Sequence, residues 1–250
     1  KHPYVAGGFV WSGWDYLGEP TPFYLARSSY YGVIDLAGFK KERFYLYQSH
    51  WRPDHAMVHI LPHWNWPERV GEVTPVHVFT SGDEAELFLN GVSLGRKQKE
   101  KYEYRLRWDE VKYEPGELRA VAYKDGLVWA EELVRTTGET AMLVAEADRD
   151  QIAADGRDLS FVTVRLCDEN GEVVPTAKNR VRFSLEGPGE IVATDNGDPY
   201  CMTAFPSHER DAFNGLILAI VKGRKNEAGT LTLKAEADGL KEAIVVINTK

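Results

Sequence analysis

Within sixteen residues the chain sets Trp11, Trp14 and Asp15 between an apolar run, Gly8-Phe9-Val10, and a proline-stiffened loop, Leu17-Gly18-Glu19-Pro20-Thr21-Pro22. A flat indole beside a carboxylate is what a pyranose ring asks for. Its CH face packs on the aromatic ring, and its hydroxyls bond to polar groups held on a rigid element. The apolar run predicts a strand whose end presents Trp11. Cleaving a glycoside would further need two carboxyl groups flanking the bond, one protonated and one ionised. Asp15 and Glu19 are the carboxylates beside the tryptophans, but they share one short loop instead of standing on opposed walls, which makes them a poor pair. Asp15 is read as fixing the loop or meeting a sugar hydroxyl, and Glu19 as opening the turn Glu19-Pro20-Thr21-Pro22.

Other residues carry weaker signals. Trp14 lines the outer part of such a pocket or packs beneath the loop, and Arg27, with Ser28 and Ser29, suits a brace for it. His63-Trp64-Asn65-Trp66 could form a second aromatic platform, but a strand that plugs a domain seam is the favoured reading. Asp155, Asp158, Asp195 and Asp198 lie near glycines, yet their spacing fits no twelve-residue calcium loop and matches ordinary turn chemistry. No serine sits in a nucleophile elbow. No metal or cofactor is expected. Cys167 and Cys201 are too few for a disulfide framework and read as two small core residues.

Composition narrows the class. The chain has 250 residues, 43% hydrophobic and 27% charged, and a net charge of −8. That is the balance of a globular protein of one or two domains, and the charge disfavours a nucleic-acid partner. No apolar run reaches membrane-spanning length; the longest, 216–221, reads as a buried strand. Lys1-His2-Pro3 lacks the apolar stretch of an export signal.

The elements that must position these groups change character along the chain. Sixteen of the 29 aromatic residues lie in residues 1–66, which suggests a domain change near there. Phe44, Tyr47 and Trp51 fall at helical spacing within 40–51, with Pro53 just beyond, so a helix packed on the first strand is expected. From about residue 57 short alternating strands take over. Asn90-Gly91 between 84–89 and 92–94 is a strong hairpin signal, and Lys124-Asp125-Gly126 marks another. Leu118, Ala120 and Ala122 alternate with Glu117, Arg119 and Val121 as a partly buried strand. Beyond Gly138 the alternation is cleaner. Val181, Phe183 and Leu185, and Leu231, Leu233, Ala235 and Ala237, interleave with polar residues. Asn170-Gly171 adds a turn, and 244–247 a last strand. The reading is mostly β: two sandwiches of the immunoglobulin kind over 57–137 and 138–250.

GGFVWSGWDYLGEPTP and SSYYGVIDLAGFKKERFYLYQSHW resemble the end of the catalytic barrel in glycoside hydrolase family 2, most closely its bacterial β-galactosidase-like branch. HILPHWNWPERVGEVTPVHVFTSGDEAELFLNGVSLG resembles the β-domain that follows, and ADGRDLSFVTVRLCDENGEVVPTAKNRVRFSLEGPGEIVATDNGDP its C-terminal sandwich. The resemblance implies that residues 1–56 are the last strand and helix of a (β/α)8 barrel. It implies a retaining hydrolase of terminal β-linked sugars, galactosides foremost, whose acid/base and nucleophile glutamates lie upstream of Lys1. The piece alone would then be inactive. Trp11 would floor the subsite of the nonreducing sugar, followed by a cis peptide at Trp11-Ser12. A β-linked oligosaccharide or glycoside and the remaining barrel of the same enzyme are the implied partners, and the family context implies a periplasmic or secreted bacterial enzyme. The rival reading is a noncatalytic carbohydrate-binding or spacer β-sandwich protein.

Overall fold

The computed structural model describes residues 2–18 and 21–250. Contacts divide the chain into two compact units. One comprises residues 1–13, 31–34 and 40–136, and the other residues 14–30, 35–39 and 137–250.

Among the described residues the first unit is a seven-stranded sandwich with one α-helix, α1 (Glu42–Trp51). Strands β1 (Val58–Leu61), β2 (Val76–Thr80) and β5 (Leu106–Trp108) form one sheet in the order β1-β2-β5. Strands β3 (Glu84–Leu89), β4 (Val92–Gln98), β6 (Glu117–Lys124) and β7 (Leu127–Arg135) form the other, in the order β4-β3-β6-β7. This three-plus-four division is that of an immunoglobulin-like sandwich. Asn90 and Gly91 have φ of 51° and 81°, and Asp125 and Gly126 of 51° and 79°. Both expected hairpins thus have the left-handed geometry that tightly joined twisted strands require. Leu118, Ala120 and Ala122 face the core with Val76, Val78, Leu87 and Leu106.

His63 to Trp66 is an irregular segment after β1, not the strand expected. Trp64 is fully buried in this core, and its indole N–H donates to the Glu114 carbonyl at 2.9 Å. A buried indole needs such a partner, and an irregular backbone can turn the ring inward where a period-two strand would not. Trp66 stacks on His63 with ring centroids 4.3 Å apart, so neither tryptophan forms an open platform.

The helix expected over 40–51 is present, but its buried face differs from the Phe44, Tyr47, Trp51 stripe. It packs on β1 and β2 through Tyr45, whose ring stacks on His59 at 3.7 Å. Trp51 is 67% exposed and stacks on Tyr47 at 4.8 Å. Spacing reports which residues share a stripe, not what the stripe faces. The segment 7–10 belongs to no helix or sheet among the described residues, correcting the expected first strand. A strand exists through its ladder, and the neighbours a barrel would provide are not among the described residues.

Among the described residues the second unit holds nine strands in two sheets. One is β12-β14-β10-β8, built from β8 (Met142–Ala147), β10 (Leu159–Cys167), β12 (Gly189–Asp195) and β14 (Leu216–Gly223). The other is β13-β11-β15-β16-β9, from β9 (Gln151–Ile152), β11 (Arg180–Glu186), β13 (Glu209–Asp211), β15 (Gly229–Glu236) and β16 (Ala243–Thr249). The core between them contains Val162, Val164, Leu166, Val181, Phe183, Leu231, Leu233 and Ile247, the alternating positions read from the sequence. Asn214-Gly215 makes a further positive-φ turn, with φ of 52° and 73°. At Asn170-Gly171 only the glycine has positive φ. There the Asp168 carboxylate closes the turn by accepting from the Asn170 and Glu172 N–H groups at 2.9 and 3.0 Å, an aspartate doing what Asn-Gly backbone geometry does elsewhere.

Candidate saccharide site

Trp11 lies in the first unit and is 75% exposed, following Phe9, which is wholly exposed, and Val10, which is partly so. Two residues on, the Gly13 carbonyl accepts the Val33 and Ile34 N–H groups at 3.1 and 3.0 Å. The backbone beyond the indole is therefore tied down. Among the described residues the cis peptides are Thr21-Pro22 and Leu61-Pro62, both before proline. The Trp11-Ser12 bond is trans, against the expectation.

Trp14 and Asp15 lie in the second unit. Trp14 is 55% exposed and Asp15 only 4%. The loop they open is closed by backbone bonds: Ser29 N–H to the Tyr16 carbonyl at 2.8 Å and Gly18 N–H to the Arg27 carbonyl at 2.9 Å. The Ser29 hydroxyl accepts from the Tyr16 N–H at 3.1 Å. Arg27 is the brace read from the sequence. Its guanidinium donates to Asp195 at 2.7 Å and to the Thr203 carbonyl at 3.1 Å, and lies 4.6 Å from the Phe205 ring centroid. Glu19 falls outside the described residues.

Asp15, Asp35 and Asp195 form a set of buried carboxylates in this unit. Burial pushes Asp35 up to about 6; the Phe39 and Ala37 N–H groups pull the other way, and the charges of Asp15 and Asp195 add to the rise. Asp35 accepts the Phe39 N–H at 2.8 Å while its own N–H donates to the Phe39 carbonyl at 2.9 Å. Sequence spacing gave no hint of this set, because nothing in 15, 35 and 195 is periodic. Nearby Arg210, with no exposed side-chain surface, donates to the Thr194 hydroxyl at 3.0 Å and the Ala204 carbonyl at 2.9 Å. The guanidiniums of Arg27 and Arg210, 2.7 and 3.9 Å from Asp195, offset the burial of that one carboxylate.

The four loop aspartates are engaged locally. Asp155 accepts the Arg157 and Asp158 N–H groups, Asp158 accepts the Ala153 N–H and pairs with Arg149, and Asp198 accepts the Tyr200 N–H. Asp195 holds Arg27. These are turn and brace roles. Both cysteines are free thiols, Cys167 buried and Cys201 half-buried.

One feature escaped the sequence reading. Trp14, residues 36–39 and the outer face of β8, β10 and β14 surround an open depression of about 540 Å³. Along β10 the even positions Ser160, Val162, Val164 and Leu166 are buried, and Phe161 stands on the outward face at 39% exposure. An aromatic on the wet side of a cleanly alternating strand was the available signal.

Comparison with known proteins agrees in both units. The family model described as glycoside hydrolase family 2 C-terminal domain 5 matches residues 143–246, and one described as a domain of unknown function, DUF4982, matches residues 71–130. The β-galactosidase BoGH2A of Bacteroides ovatus is 41% identical over 248 residues, 99% of this chain and 29% of that protein. A β-glucuronidase of Formosa agariphila is 29% identical over 100% of this chain and 25% of its own length. The chain thus spans less than a third of these relatives. Among solved structures, a β-glycosidase from Bacteroides vulgatus superposes with a TM-score of 0.89 at 30% identity, over 95% of this chain and 30% of that one. A family 2 glycosyl hydrolase from Bacteroides cellulosilyticus gives 0.88 at 28% identity, over 96% and 35%. With these sandwiches, this order of segments and these relatives, the chain belongs to glycoside hydrolase family 2, as a C-terminal portion of such an enzyme.

Proposed function

We propose that this chain is the C-terminal part of a retaining hydrolase of terminal β-linked sugars, with β-galactosides the preferred class, and that both catalytic glutamates belong to polypeptide upstream of Lys1. The supporting observation is Trp11: a large indole left 75% exposed on a run of exposed apolar residues, beside a backbone anchored at Gly13. Exposed apolar surface of this kind marks a binding or assembly site. The indole floors the subsite of the nonreducing sugar once the rest of the barrel surrounds it, stacking on the CH face and excluding water. Asp15 serves by holding the loop that carries Trp14. Preference for galactosides rests on BoGH2A, the relative at 41% identity, being named a β-galactosidase. The residues that would choose between galactose and glucuronate are expected upstream.

The chemistry divides accordingly. The upstream pair performs attack and protonation at about 5–5.5 Å separation. This chain's own groups bind and orient the sugar and hold the walls. Assaying chromogenic β-galactoside, β-glucuronide and β-mannoside with the longer enzyme, and with these 250 residues alone, tests the reading. Turnover by the longer enzyme, fastest on the galactoside, and none by the shorter chain is the expected result. Turnover by the 250 residues alone, or none by the longer enzyme on any of the three, overturns it.

A further inference from the structure

The depression on the second unit is built as a ligand surface more than as an ordinary sheet face. Its floor is Phe161 and Thr163 on β10 against Ile220 and Leu218 on β14, directly paired across the ladder. Trp14 and Phe39 stand at one side, and Glu146, Asp148 and Arg165 supply the polar rim. Its volume of about 540 Å³ falls among small-ligand sites, and it is open, as a surface that grips a chain must be.

We propose that this groove binds an internal stretch of a neutral β-linked oligosaccharide. The composition selects that class. The rings of Trp14, Phe39 and Phe161 offer faces for the apolar sides of successive pyranoses. The Thr163 hydroxyl and the exposed Arg165–Glu146 pair, at 2.9 Å, present adjoining donor and acceptor groups suited to neighbouring sugar hydroxyls. Each rim carboxylate has its own guanidinium, Glu146 with Arg165 and Asp148 with Arg149 at 3.8 Å, so the rim offers an anionic uronate or sulfated chain no unpaired positive charge. A purely apolar partner would desolvate the rim's charged groups without replacing their hydrogen bonds to water. Trp14 therefore serves the groove on the C-terminal sandwich. The inference rests on the reading that the enzyme handles β-linked saccharides.

The test is calorimetric titration of β-1,4-galactotetraose and of cellotetraose into the 250-residue protein, its Phe161→Ala and Phe161→Trp variants, and an Arg165→Gln variant that leaves the sheet core untouched. At least one tetrasaccharide should bind, Phe161→Ala should weaken it by about tenfold, as loss of a stacking ring does, and Phe161→Trp should restore it. If Phe161→Ala does not fold, Arg165→Gln should still weaken binding by severalfold. Absence of binding to both probes, or equal binding by wild type and the folded variants, overturns the proposal. So does binding that vanishes in the longer enzyme, because the groove would then be a seat for upstream polypeptide. Chromogenic turnover by the longer enzyme is read separately, so loss of turnover with binding intact strikes only the hydrolase reading.

Discussion

Asp35 has the clearest consequence at the scale of single residues. Burial raises its carboxyl to about 6, above the usual value of 3.8. The protonated form is favoured by folding, so its contribution is complete below about pH 4 and is lost as pH rises through 6. Asp35→Asn keeps an acceptor for the Phe39 N–H and never ionises. Thermal melts should show the variant more stable than wild type at pH 8 and equal to it at pH 4; a gap of the same size at both values would contradict the assignment. Arg27 could be read from sequence as a brace because a guanidinium in a polar loop needs acceptors. Its partner Asp195 could not, since the two are brought together only by the fold.

The element scale is where sequence was most informative and where its limits are plainest. Asn90-Gly91 and Asp125-Gly126 were legible because positive φ is a local demand. The buried alternation of β6, β11 and β15 was legible because a sheet has one dry face. The docking of α1 was not. It depends on His59, which stacks on Tyr45 and is hydrogen-bonded on both ring nitrogens, to Glu42 at 2.8 Å and to Glu132 at 3.1 Å. Burial opposes charging this ring, but the bonds and charges of the two carboxylates prevail and carry it up to about 9. A histidine raised in the fold contributes stability that is complete below about pH 6.5 and lost as pH rises through 9. His59→Gln should therefore lower the melting temperature at pH 6, with the gap to wild type shrinking between pH 8 and pH 10. A gap that does not change with pH would mean that the imidazole is not charged there.

At the scale of the whole molecule, the two sandwiches have self-contained cores, whereas the N-terminal stretch does not. Tyr4, Val5, Phe9, Trp11, Tyr24 and Leu25 are all more than half exposed, an unusual density for a finished surface. The expected first strand lies in this stretch, and among the described residues it has no ladder partner. The 250-residue chain should accordingly enhance the fluorescence of anilinonaphthalenesulfonate, and the longer enzyme should enhance it much less per molecule. Equal dye binding by the two would mean that the apolar run stays open in the assembled enzyme.

The most direct test of the central claim is kcat/KM on a chromogenic β-galactoside for the longer enzyme and its Trp11→Ala variant. If this indole floors the sugar pocket, the ratio should fall by about tenfold or more, on the order of 1.4 kcal/mol of transition-state binding. An unchanged kcat/KM in a folded variant would remove Trp11 from the site.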